Sequence, residues 1–320
     1  MHNHLLPFIP DDEKLDLLGK HPSFEGCNVY KSIKYEVGFT HPLPKANQVE
    51  DFYRPGFYVK EDDANAIENR LKISLQRANA QFELIAPFID NCSHLKVLDV
   101  GCSDGSVLIK FAEKECEVLG YEIDQRMADL ANSRLGKFLQ NGTVKNTLFD
   151  INDTNGLDQT FDLVCSSHIL EHLTDPLSYL IALKKVLKED GILFLEVPNQ
   201  YALGIENCIN PSIFPPATHQ GHLFFFSPNS IRTLLEASGF QVLLLKTCGH
   251  NIKGFFPPNP NTIAKTNSLI KLTKRIHKKL KTVLFRRRIP LDKEDTSIFQ
   301  TYWSGKEQGQ WIRIVAKRSS

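Results

Sequence analysis

Residues 94–108 read HLKVLDVGCSDGSVL. An apolar run climbs to Asp99, breaks at Gly101 and Gly105 with small residues between them, and resumes with helical spacing. That order spells strand, sharp turn, helix. The turn can hold a phosphate, a nucleophile, or a ligand that needs close backbone approach, and the rest of the chain has to separate these.

Outward from the turn, strand and helix patterns alternate from about residue 94 to 249. LKVLDV, CEVLGYEI, TVKNTLF, FDLVCSS, GILFLEV and FQVLLLKTC read as strands. SVLIKFAEKE, DQRMADLANSRLGKFLQ, DPLSYLIALKKVLKEDG and SPNSIRTLLEASG read as helices, the second stopped by Asn141-Gly142 and the fourth opened by Ser-Pro. The alternation predicts βαβ units: an α/β, Rossmann-like, doubly wound and mostly parallel sheet. A last strand, QWIRIVAKR, returns near the end. The organisation is an N-terminal appendage over 1–93 with a long lead-in helix (EDDANAIENRLKISLQRANAQFELIAPFI), a core over 94–249 and 309–320, and an insertion over 250–308.

The 320 residues with 42% hydrophobic content suffice for one large core plus an appendage. Seven scattered cysteines with no Cys-x-x-Cys pair argue against a disulfide framework or a thiolate zinc site, and for a reduced, cytoplasmic compartment. The opening MHNHLLPFIPDDEKLDLL lacks the layout of a secretory signal, and no apolar run has spanning length. Net charge is +1, but residues 265–288 hold ten basic residues and no acidic ones, which leaves the remainder at −9.

Gly101-Cys102-Ser103-Asp104-Gly105 fits G-x-S-x-G, in which Ser103 would be a hydrolase nucleophile. That fold places several strands before the elbow, and none are evident before residue 94. The dinucleotide pattern G-x-G-x-x-G fails because Ser103 stands where a second glycine must let the backbone touch a pyrophosphate. The third reading is a ligand with an amine and a ribose. Asp99 would meet the amine, and an acid ending the next strand would take the ribose hydroxyls. Glu122 does end that strand, 21 residues after Gly101.

VLDVGCSDG, then VLGYEID, then FDLVCSSHILEHLTDP together resemble the class I S-adenosylmethionine-dependent methyltransferases, in particular the group with an LEH sequence after the fourth strand. The resemblance implies a seven-stranded sheet whose last strand is antiparallel, and S-adenosylmethionine as cofactor. It implies that Asp99, Gly101, Cys102, Ser103 and Gly105 lie under the methionine part, and that Glu122 binds the ribose with Ile123 on the adenine. Asp150, with Ile151 beside it, would receive the adenine amino group. Ser166 and His168 would border methionine and acceptor.

Methyl transfer leaves the protein to position the acceptor and, for a hydroxyl, to remove a proton. His222 is the leading candidate base, with His219 beside it in HQGHLFFFSPNSI and His168 in HILEHL. As a helix, HILEHL would put His168, Glu171 and His172 on one face. His-x-x-Glu-His is similar to the Glu-x-x-Glu-His metal motif of methyltransferases acting on catechols or RNA ends, but the first acid is replaced here, and no metal is assigned. In the superfamily it resembles, an Asn/Asp-Pro-Pro-Tyr/Phe sequence after strand four marks amino methylation of bases and glutamine, and its absence here points away from those acceptors. The expected acceptor is a hydroxyl on a sugar, glycan precursor or other small molecule.

In the insertion, Leu269, Leu272, Ile276, Leu280, Val283 and Leu284 recur at helical spacing between basic residues. Such a helix either packs on the domain with a solvated basic face or lies on an anionic membrane surface. Nucleic acid phosphates are a lesser alternative.

Overall fold

A computed structural model describes residues 6–53, 64–89, 92–137, 142–149, 154, 156–199, 221–248 and 309–319. All belong to one of two compact units, Met1–Gly249 with Thr301–Ser320. The other, His250–Gln300, lies outside the described residues, and with it the basic segment 265–288.

The core is a seven-stranded sheet. In chain order its strands are β4 (Lys96–Val100), β5 (Glu117–Tyr121), β6 (Thr143–Lys145), β7 (Phe161–Ser167), β8 (Leu187–Pro198), β10 (Phe240–Cys248) and β11 (Trp311–Arg318). Their spatial order is β6-β5-β4-β7-β8-β11-β10, with β11 antiparallel to both its neighbours and the β6-to-β8 block parallel. Successive residues feed opposite faces. Val97, Leu163, Phe194 and Val315 pack on one side with Leu108, Phe111, Ala128 and Leu135 of α3 (Ser106–Ala112) and α4 (Gln125–Leu135). Leu98, Val164, Leu195 and Ile314 pack on the other with Leu180, Leu183, Ile231 and Leu234 of α5 (Pro176–Val186) and α6 (Pro228–Ala237). Burial on both faces explains why these strands read as continuous apolar runs. The chain goes from β4 outward through β5 and β6, then back to β7 and outward the other way. The switch point therefore lies at the carboxyl ends of β4 and β7, where ligands of such sheets bind.

The lead-in helix is α2 (Ala64–Ile85). Ahead of it come β1 (Asp16–Lys20), β2 (Asn28–Ser32), β3 (Val37–His41) and α1 (Ala46–Tyr53). These strands form an antiparallel sheet in the order β1-β2-β3-β9, closed by β9 (Phe224–Phe225) from the far side of the core. Phe24, Val37 and Phe39 join Phe224 and Phe226 in the same buried cluster as the main sheet. Four details depart from expectation. The helix expected to reach Gly191 stops at Val186, because fully buried Leu187 pairs with Phe161 and Lys188 reaches Asp162 at 2.6 Å as the first turn of β8. The helix expected to end at Asn141 ends at Leu135, and β6 covers only three residues. HILEHL forms no α-helix: Leu170–His172 is a single 3₁₀ turn, and His168 stands outside it with φ +57°.

Candidate functional site at the carboxyl ends of the central strands

Gly101 donates its N–H to Tyr121 O (2.8 Å) at φ +74°, and Gly105 closes the turn onto Cys102 O (2.9 Å), also at φ +74°, before α3 begins. A β-carbon at Gly101 would stand 2.2 Å from Ile169 Cδ1, so the turn is glycine-dependent in both conformation and space. Ser103 (φ +48°) gives its N–H to Glu122 Oε2 at 2.8 Å, while the other Glu122 oxygen accepts Asp124 N–H at 2.8 Å. Glu122 thus ties the turn to the start of α4, which Asp124 caps through Arg126 and Met127 N–H. Cys102 is buried, and burial pushes its thiol well up. Asn146 Nδ2 holds the Glu122 and Ile123 carbonyls at 3.0 Å each.

Asp99, 3% exposed, lies beside the turn on β4, paired in register with Gly120 and Cys165. Burial, reinforced by the Glu122 charge and opposed by Arg77, pushes its carboxyl up to about 8. Glu122 is also raised, by burial, against the pull of its two N–H donors.

At the end of β7, Ser166 is occupied by a 2.8 Å hydrogen bond with Tyr179 Oη, whose own ionisation burial pushes up. His168 spans two carboxylates, with Nε2 3.0 Å from Glu196 and Nδ1 3.3 Å from Glu171. Burial and Arg77 pull its pKa down, but the two carboxylates outweigh them and raise it. His172 Nε2 is 3.8 Å from Glu171 Oε1, and burial pulls His172 down against the Glu171 charge. The His222 ring stacks edge-on against His172 with centroids 4.5 Å apart. Backbone bonds fix this meeting: Leu223 N–H donates to Glu171 O (2.7 Å), and the His222 carbonyl meets His21 Nε2 (3.0 Å).

Of the residues expected at the cofactor, Asp99, Gly101, Cys102, Ser103, Gly105, Glu122 and Ile123 lie on or beside the turn after β4 and the end of β5. It did not join His222 to Glu171 and His172. Asp150, Ile151 and His219 lie outside the described residues. The phenylalanines after His222 are core, 0–2% exposed. Also unforeseen is the Glu196 network: fully buried, Glu196 takes Arg77, Gln81, Arg313 and His168. Burial opposes its charge, but Arg77 and Arg313 hold its carboxyl well below the usual range. Glu196 in FLEV and Arg313 in WIRIV were its signal: single charges inside apolar central strands must find partners. The nucleophile reading of Ser103 has no scaffold, since among the described residues no strand of the main sheet precedes β4. The six described cysteines are free thiols, and among the described residues no helix is long and apolar enough to cross a membrane.

The site is thus a glycine turn and two buried acids at the switch point of a mostly parallel sheet. The family model described as Methyltransferase domain matches residues 67–245, more than half of the chain, and the chain belongs to that family. An uncharacterized methyltransferase of Schizosaccharomyces pombe is 36% identical over 103 residues, 30% of this chain and 37% of the relative. The mitochondrial ubiquinone biosynthesis O-methyltransferase of Bos taurus is 29% identical over 167 residues, 47% of this chain and 42% of its own. The chain thus spans well under half the length of these two. A chain from the complex of the Haloferax volcanii Trm112 methyltransferase activator with a methyltransferase shares the fold at TM-score 0.51. It is 15% identical, with 83% of this chain and 99% of that one covered.

Proposed function

We propose that this protein transfers the methyl group of S-adenosylmethionine to a hydroxyl oxygen of a small organic acceptor. The observation that carries the reading is the placement of buried Asp99 on β4 and buried Glu122 just past the end of the adjacent β5, beside a turn whose Gly101 tolerates no β-carbon. In this reading Asp99 meets the cofactor's amine and Glu122 its ribose hydroxyls. Ile123 packs on the adenine, and Asp150, with Ile151 next to it in sequence, is proposed to receive the adenine amino group. The turn from Gly101 to Gly105 admits the methionine chain. Ser166 acts through Tyr179, holding that wall of the site.

The sulfonium supplies the driving force: the S–C bond breaks with its electron pair left on sulfur, an O–C bond forms, and the hydroxyl proton leaves. In-line positioning provides most of the rate. The acceptor side is assigned to the cluster of Glu171, His172 and His222, with His219 adjacent in sequence. Oxygen as the acceptor atom is supported by relatives named as O-methyltransferases. Sugars and glycan precursors remain within the proposed class. The basic stretch 265–288 would hold the enzyme at an anionic lipid surface, which flotation with anionic liposomes tests: flotation abolished by salt is expected, and none at low salt refutes it.

The decisive experiment is calorimetry with S-adenosylmethionine and S-adenosylhomocysteine, followed by transfer of labelled methyl to phenolic, sugar and glycolipid hydroxyls. Binding of both cofactors and label on oxygen is expected. No binding of either overturns the reading.

A further inference from the structure

We infer that Glu171, His172 and His222 form a binding site for a divalent transition-metal ion of the zinc type. One ligand atom from each side chain lies within 4.8 Å of the other two. An ion bonded at about 2.0–2.1 Å in tetrahedral geometry holds such atoms roughly 3.3–3.4 Å apart, so each has less than about 1 Å to move. Side-chain rotation supplies that.

The second observation is Glu171 itself. It is fully buried, and neither of its carboxylate oxygens accepts a hydrogen bond. A buried carboxylate left in this state needs a cation or a proton. Its nearest cationic contact, His168 Nδ1 at 3.3 Å, is already shared with Glu196.

The third is the His172 tautomer. Its Nδ1 faces the Gly221 carbonyl at 3.4 Å, and a carbonyl only accepts, so Nδ1 carries the proton. Nε2 then presents a lone pair on the Glu171 side, 3.8 Å from Oε1. A carbonyl-anchored imidazole beside a carboxylate is the usual dress of a metal ligand.

Two imidazoles and one carboxylate suit zinc and its neighbours rather than magnesium, which prefers oxygen ligands. Three protein ligands leave a fourth position open for a hydroxyl. That last role rests on the methyl-transfer reading; the binding site does not. With the ion present, His172 and His222 serve as ligands, and the acceptor is acidified by the metal's charge rather than by an imidazole. His168 becomes a positioning residue for Glu171.

The test is calorimetric titration of the chelator-treated full chain with zinc chloride and, separately, magnesium chloride, with visible absorption on adding cobalt(II). One zinc per chain, no magnesium response and intense cobalt d–d bands are expected. Glu171→Gln and His222→Asn should each weaken zinc by about 100-fold or more, and His168→Gln by about 10–100-fold, the range for an outer-shell partner. S-adenosylhomocysteine binding reports that each variant is folded. Neither zinc binding nor cobalt bands in the wild type, or zinc binding undiminished in both folded ligand variants, overturns the site. Zinc binding without S-adenosylhomocysteine binding would sink the methyl-transfer reading and leave the metal site standing; the reverse result would do the opposite.

Discussion

Asp99 offers a prediction that can be worked through. Its carboxyl titrates near 8 in the fold, against 3.8 for the ordinary side chain, with burial as the leading cause. At pH 7 it is therefore about 90% neutral, and at pH 9 about 10%. A cofactor amine docked against it supplies the positive charge that burial withholds, and the carboxyl ionises. Binding of S-adenosylhomocysteine should then release about 0.9 proton at pH 7 and about 0.1 at pH 9. Calorimetry in buffers of different ionisation enthalpy reads this directly. Methylthioadenosine, which lacks the amino acid tail, should release none, and Asp99→Asn should abolish the release. The same shift has a stability consequence of fixed sign. The fold binds the Asp99 proton where the unfolded chain does not, so stability is highest below about pH 4 as far as this group is concerned. It falls by about 1.4 kcal/mol per pH unit up to about pH 8, then levels. Asp99→Asn should therefore stabilise the cofactor-free protein at pH 8 by several kcal/mol (of order 5) while weakening cofactor binding. An equal proton release in wild type and Asp99→Asn at pH 7 would refute the reasoning.

Three more outcomes follow from the same geometry. Glu122→Gln replaces an acceptor oxygen with a donor facing Ser103 or Asp124 N–H, so the affinity for S-adenosylhomocysteine should drop about 10–100-fold by calorimetry; a change under about threefold would remove Glu122 from the site. Gly101→Ala should cost about 1–2 kcal/mol for its positive φ plus the displacement of Ile169, and adding Ile169→Ala should recover only the second part, as judged by urea midpoints. Glu196→Gln leaves Arg313, 2% exposed, without its counter-charge, and should destabilise by about 3–5 kcal/mol in urea. Because the Glu196 pKa is depressed, its contribution holds above about pH 4.5 and fades only as pH falls toward the folded value; an unchanged urea midpoint at pH 7 would contradict the burial argument.

How much of this was legible in the sequence varies with the range over which each feature is determined. The parallel strands were plain because burial on both faces demands unbroken apolar runs. The Gly101 turn was plain because positive φ demands glycine, and Glu122 because one βαβ unit fixes its distance from that turn. The β1–β3 sheet was not. Its strands are five residues each with irregular burial, and its closing partner β9 is two residues long and nearly two hundred positions away. HILEHL shows a wrong element with a partly right contact. A 3₁₀ turn also brings residues three apart together, so His168 reaches Glu171 although no α-helix forms.

His222 was expected as a candidate base with His219 beside it, and its contacts with Glu171 and His172 could not be read from local pattern. Fifty residues separate it from His172. What joins them is the Leu223 N–H on the Glu171 carbonyl and the grip of His21 on the His222 backbone. His21 belongs to the N-terminal segment, held by its own ring nitrogen through Ser23 and Phe24 N–H, and Phe24 sits in the common core. The segment that looked like an appendage thus touches the cluster proposed for the acceptor side. A change confined to it, such as His21→Ala, should alter transfer to the acceptor while leaving S-adenosylhomocysteine affinity intact, because the turn from Gly101 to Gly105 and Glu122 touch none of its residues through the bonds described. Loss of cofactor affinity in a folded His21→Ala protein would show that the two halves of the site are not separable in this way.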